Sequence, residues 1–180
     1  ALPFSLTTAQ QRVIDEIAAD VSRPMPMLRL VQGDVGSGKT VVAVVALLAG
    51  IAGGFQAAVM APTEVLAAQH YLSVKALLEQ AEMAPELEGG GAELGMSNLF
   101  TDESVGRPVT LALLTGSNAE VSFRPSGTVA ADDVREWIAA GRIDVVVGTH
   151  ALIQEGVHFD RLGVAVIDEQ HRFGVHQRVE

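Results

Sequence analysis

The octapeptide Gly33-Asp34-Val35-Gly36-Ser37-Gly38-Lys39-Thr40 constrains this chain more than any other stretch. It fits the pattern G-x-x-x-x-G-K-[ST], in which backbone N–H groups cradle a polyphosphate. A glycine turn followed by a lone lysine would satisfy the spacing alone. The flanks decide otherwise. Leu28-Arg29-Leu30-Val31 reads as a short buried strand, and Val41 to Ala49 reads as an apolar helix. Strand, glycine loop and helix together aim a helix N-terminus at an anion. Gly33, Gly36 and Gly38 allow positive φ and close approach of a ligand to the backbone. Lys39 is placed to neutralise β- and γ-phosphate charge, and the Thr40 hydroxyl to ligate Mg²⁺. The chain is expected to bind a nucleoside triphosphate.

An acidic pair at the end of a second buried strand completes such a site. Val164-Ala165-Val166-Ile167 is that strand, and Asp168-Glu169 follows it directly. One carboxylate serves the Mg²⁺ shell, and its neighbour orients and deprotonates the attacking water. A solvated acidic turn is the alternative for this pair taken by itself.

The rest of the chain alternates helix and strand. Thr7 and Thr8 precede Gln10 and Gln11 by three residues, a capping box opening a helix with Val13, Ile14, Ile17 and Val21 on one face. After the apolar helix, Gln56 to Ala61 is a strand stopped by Pro62, and Thr63 caps a helix running to about Leu78. Val109 to Leu114 is a strand, Asn118 to Val129 a polar loop, Asp132 to Ala140 a short helix and Ile143 to Val147 a strand. Strands rich in Val and Ile and separated by helices indicate a parallel sheet covered on both faces. The fold class is therefore α/β, a three-layer P-loop arrangement.

A length of 180 residues and 48% hydrophobic content suit one domain with a sizeable core. No cysteine is present, which excludes a disulfide framework and thiolate metal sites. The stretch from Val41 to Phe55 is shorter than the roughly 20 residues a membrane span needs. Nothing at the N-terminus has the form of a signal peptide, so the cytoplasm is the expected compartment. Net charge is −10, which repels nucleic-acid backbone. Between Glu82 and Glu103 lie six carboxylates (Glu82, Glu86, Glu88, Glu93, Asp102 and Glu103) and no lysine or arginine, beside Pro85 and Gly89-Gly90-Gly91. That segment, about 82–108, reads as a solvated acidic insert. Setting its six carboxylates aside leaves 16 acidic residues against 12 basic ones, a net of −4.

In parallel α/β sheets, ligands bind at the carboxyl ends of the strands. Here those ends carry the glycine loop, Ala61-Pro62-Thr63, Thr115-Gly116-Ser117, Gly148-Thr149-His150 and Asp168-Glu169. Hydroxyls and backbone amides on the three further groups suit the phosphates of a polynucleotide. His171 and His176 lack further ligands for a metal pair, and Trp137 and Tyr71, on helices with apolar neighbours, read as core.

Taken in order, the glycine loop, Ala61-Pro62-Thr63-Glu64, Thr115-Gly116-Ser117, Val147 to Leu152 and Asp168 to Val175 resemble the motifs of superfamily-two helicases. The run from Asp168 through Arg178 and the opening Pro3-Phe4-Ser5-Leu6-Thr7 are similar to the RecG branch-migration type. Transcription-repair coupling and primosomal helicases look similar, but tend to carry glutamate where this chain has Gln170. The resemblance implies a RecA-like lobe binding ATP and Mg²⁺. It implies that Gln10, with Phe4 and Leu6, recognises and covers adenine, and that Gln170 and His171 relay nucleotide state to a DNA track. It also implies that Pro62, Thr63, Glu64, Thr115, Gly116, Ser117, Thr149 and His150 face DNA. The family remodels branched DNA, namely Holliday junctions and stalled replication forks, with ATP hydrolysed between two lobes. A chain stopping at Glu180 is then a single truncated first lobe, residues 1–180, without the second lobe or the junction-binding domain, and nearly inactive alone. Asn118-Ala119-Glu120 stands where the family often has a lysine-bearing segment. A lobe of a coupling translocase, or a nucleotide-gated binding module without translocation, are the alternative readings.

Overall fold

The computed structural model describes residues 6–34, 36–83, 108–122, 129–154 and 156–168. Helix α1 (Thr8–Val21) opens with the expected capping box: Gln10 N donates to Thr7 Oγ1, and Thr7 N donates back to Gln10 Oε1. Helix α2 (Lys39–Ala52) leads through the Gly53–Gly54 turn into β1 (Gln56–Met60). Then come α3 (Glu64–Met83), β2 (Leu111–Leu114), β3 (Ala119–Val121), α4 (Ala131–Ala139), β4 (Val145–Gly148), a 3₁₀ turn (His150–Ile153) and β5 (Leu162–Ile167).

The strands form one sheet in the order β3-β2-β4-β1-β5. β2, β4, β1 and β5 are parallel, and β3 is antiparallel to β2. Alternation sends successive side chains to opposite faces. Val59, Leu111, Leu113, Val145 and Val147 pack under α2 and α3, while Ala58, Ala112, Leu114 and Val146 pack under α4. α1 lies outside α2, through Ile14 and Ile17 against Val42, Val45 and Ala46. Tyr71 is core, as expected.

Three details differ from the sequence reading. Leu28–Val31 forms no strand: Leu28 and Leu30 are exposed, and Arg29 takes its partners from Glu16 and Asp20 on α1 instead of a ladder. Asn118–Val129 is not wholly loop. Thr115 and Asn118 close a tight turn through both backbone and hydroxyl bonds, and the chain returns as β3, too short to show periodicity. Helical cover is also incomplete at β5, an edge strand whose Val164 and Val166 face the core while Ala165 and Ile167 stay exposed. The acidic insert falls on residues outside those described, apart from Pro108 at its end and its first two positions, where α3 continues to Met83.

Gln56 locks the amino edge of the sheet. Its buried amide donates to the Ile138 and Ile143 carbonyls and accepts from the N–H groups of Asp160 and Arg161. Gln56→Leu leaves four backbone groups without that partner and lowers the unfolding free energy by about 3 kcal/mol. Urea denaturation reads this as a lower midpoint at unchanged slope; an unmoved midpoint would contradict it.

Candidate nucleotide site and its rim

The glycine loop turns into α2 through Gly38, whose φ of 79° places it in the left-handed region, and no side chain caps the helix there. The first N–H groups of a helix have no intrahelical partner, so this end presents donors and positive dipole to an anion. Gly36 also has φ 79°. Gly33 does not, and a Cβ there would lie 2.7 Å from Ser37 Oγ, the movable end of that side chain. Lys39 Nζ donates to the Gly33 and Asp34 carbonyls at 2.8 Å each, which keeps the ammonium inside the loop. Gln10 Nε2 donates to the Ser37 carbonyl at 2.9 Å, so the capping box of α1 is tied directly to the glycine loop. Leu6 is half-buried against the α1–α2 cluster.

α2 runs antiparallel to the strand it feeds, which brings its N-terminus to the carboxyl edge of the sheet. Asp168 lies at the same edge. Its N–H donates to the Met60 carbonyl at 2.9 Å, extending the β1–β5 ladder by one residue. Its Oδ2 is 2.7 Å from His70 Nε2 on α3. The oxygen donors of Thr40 and Asp168 suit Mg²⁺, which is held by one or two protein oxygens beside phosphates and waters. Among the described residues no group of three or more His, Asp or Glu is placed to hold a metal ion.

The other rim residues divide in two. Thr115 and Thr149 are buried, with hydroxyls spent on the Asn118 turn and on the Ala151 N–H of the 3₁₀ turn. Thr63, Glu64, Gly116, Ser117 and His150 are exposed, and Pro62 half-exposed. Thr63 Oγ1 accepts from Leu66 N and caps α3. Glu64 accepts from the Ser117 N–H at 3.0 Å and from its hydroxyl, joining the ends of β1 and β2. Phe4, Val35, Glu169, Gln170 and His171 lie outside the described residues. Two contacts have no local sequence signal: the Gln10 link to Ser37 spans 27 residues, and the His70 link to Asp168 spans 98.

The DEAD/DEAH box helicase profile matches residues 7–180, nearly the whole chain. The chain belongs to the DEAD/DEAH box helicase family. Among curated relatives, the ATP-dependent DNA helicase RecG of Synechocystis is 48% identical over 99% of the chain and 17% of its own length. RecG of Mycobacterium bovis is 45% identical over 98% of the chain and 21% of its length. The chain thus spans about a fifth of the relatives it matches. A solved structure of RecG bound to a three-way DNA junction superposes with a TM-score of 0.67 at 41% identity, over 96% of this chain and 19% of that one. The α/β RecA-like assignment agrees with this neighbour. Among the described residues, no helix is long and apolar enough to cross a membrane.

Hydrogen bonds from Ser117, its hydroxyl above all, hold the Glu64 carboxyl below its ordinary value. A depressed folded-state pKa adds stability that is present above the unfolded value and lost as pH falls through the folded one. Ser117→Ala therefore moves the Glu64 titration upward, toward the ordinary glutamate value, in a carbon-13 NMR pH series. An unmoved Glu64 curve would dissolve the link between these loops.

Proposed function

We propose that this chain is the ATP-binding motor lobe of an ATP-dependent DNA helicase that remodels branched DNA in recombination and repair. One observation carries the reading: the uncapped N-terminus of α2 and the Asp168 carboxylate share the carboxyl edge of one sheet. Similarity to RecG helicases over nearly the whole chain supports the substrate class.

In this reading the triphosphate lies against the loop from Gly33 to Thr40, and Lys39 exchanges its two carbonyl partners for phosphate oxygens. Thr40 and Asp168 hold Mg²⁺, which when bound neutralises phosphate charge and acts as a Lewis acid. Glu169, next in sequence, takes the proton of the water that attacks the γ-phosphorus as the bond to the ADP oxygen breaks. Gln10, Leu6 and Phe4 surround the adenine. Gln170 and His171 carry the change to the DNA-facing rim of Pro62 to Glu64, Thr115 to Ser117, Thr149 and His150. A second lobe supplies the arginines that stabilise the transition state, and a junction-binding domain supplies the grip on DNA. The compartment is the cytoplasm.

A fluorescent ATP analogue titrated with Mg²⁺ binds the 180-residue chain saturably, and Lys39→Ala abolishes that binding; equal binding in both would remove the glycine loop from the site. Assayed alone, the chain turns ATP over far below 1 per second, because an arginine supplied in trans is worth about 10³–10⁵ in rate. In the full-length protein, Glu169→Gln keeps ATP binding and loses fork reversal; a variant that kept a nucleotide-dependent partner-docking output would favour a nucleotide-gated binding module.

A further inference from the structure

His70 is not among the residues that phosphate chemistry or DNA contact single out, yet it is held against Asp168. Among the described residues it is the one side chain hydrogen-bonded to that carboxylate, Nε2 to Oδ2 at 2.7 Å, with the two side chains 23% and 37% exposed. The imidazole is also anchored from behind. Ala67, Tyr71 and Val74, three residues before and one and four after it on α3, are all buried in the core under the sheet. An aspartate at a strand end has two free side-chain torsions. A ring on a packed helix that takes one of its oxygens removes that freedom and leaves the other oxygen for a ligand.

We infer that His70 is a positioning residue: its Nε2–H holds one oxygen of Asp168 so that the other meets Mg²⁺ in a fixed orientation. This rests on the reading of Asp168 as the Mg²⁺ carboxylate. Hydrogen-bond partners of ligating groups set metal affinity in this way, and their removal typically costs about 10–100-fold. The same helix begins with Glu64, less than two turns earlier, and Glu64 holds Ser117.

The test is a Mg²⁺ titration of a fluorescent non-hydrolysable ATP analogue bound to the chain carrying His70→Met or His70→Gln. Methionine keeps bulk without a donor, whereas glutamine restores an N–H. His70→Met is expected to raise the half-saturating Mg²⁺ concentration about 10–100-fold, with nucleotide affinity in EDTA unchanged, and His70→Gln to return it close to the parent. An equal Mg²⁺ requirement in His70→Met and the parent overturns the role of His70. Asp168→Asn tests the underlying reading separately: if it leaves the Mg²⁺ requirement unmoved, Asp168 is not the Mg²⁺ carboxylate and the inference falls with it. Long-range proton–nitrogen NMR of the histidines in the unsubstituted chain decides the matter should either variant fail to fold. A proton on His70 Nε2 is expected, and a bare Nε2 overturns the inference.

Discussion

Everything at this site depends on the parallel register of β1 with its two neighbours. Met60 aligns with Gly148 on β4 and with Ile167 on β5, and Gly148 aligns in turn with Leu114 on β2. Four strands thus finish on one line, and the residues that leave them are the ones carrying chemistry. Two further hydrogen bonds, Ala61 N to the Gly148 carbonyl and Asp168 N to the Met60 carbonyl, extend the line past the strand ends. Gly148 is needed there because a Cβ would come within 2.2 Å of the Leu114 carbonyl oxygen. A slip of one residue would turn every alternating side chain to the wrong face, so burial of both faces of β1 and β4 protects the site geometry.

The strand ends are then joined by side chains instead of ladders. Gln10 ties α1 to the glycine loop, Glu64 ties the start of α3 to Ser117, and His70 ties the middle of α3 to Asp168. Each link crosses between elements packed on the same side of the sheet or at its rim. This wiring also bears on the acidic balance of the chain. Glu64 sits on the rim that faces nucleic acid in the proposed function, but its charge is taken up by two donors from Ser117.

Much of the local structure was legible in the residues. The Thr7/Gln10 capping box, the positive φ of Gly36 and Gly38, the buried Val and Ile runs and the Pro62 stop each follow from short-range sterics and hydrogen bonding. The misses have a common cause. Leu28–Val31 has strand composition, but a strand needs a ladder, and Arg29 is bound to α1. β3 is invisible as a pattern because a run of three residues is stabilised by the Thr115–Asn118 turn and by β2, not by its own periodicity. Gly33, unlike Gly36 and Gly38, has no positive φ, because the loop bends into the left-handed region only further along.

The sequence by itself determined the chemistry available: a glycine loop opening a helix, a carboxylate ending an apolar strand, and small polar residues at the other strand ends. These are local choices, set by which dihedral angles, caps and faces each short segment tolerates. Only the tertiary structure decided which groups meet. Sheet order is not written in any segment, so nothing local places His70 against a carboxylate 98 residues away, or turns the Thr115 and Thr149 hydroxyls inward while leaving Ser117 and His150 exposed. Those outcomes come from the crossover that seats β1 between β4 and β5 and from the packing that fixes α3 against them.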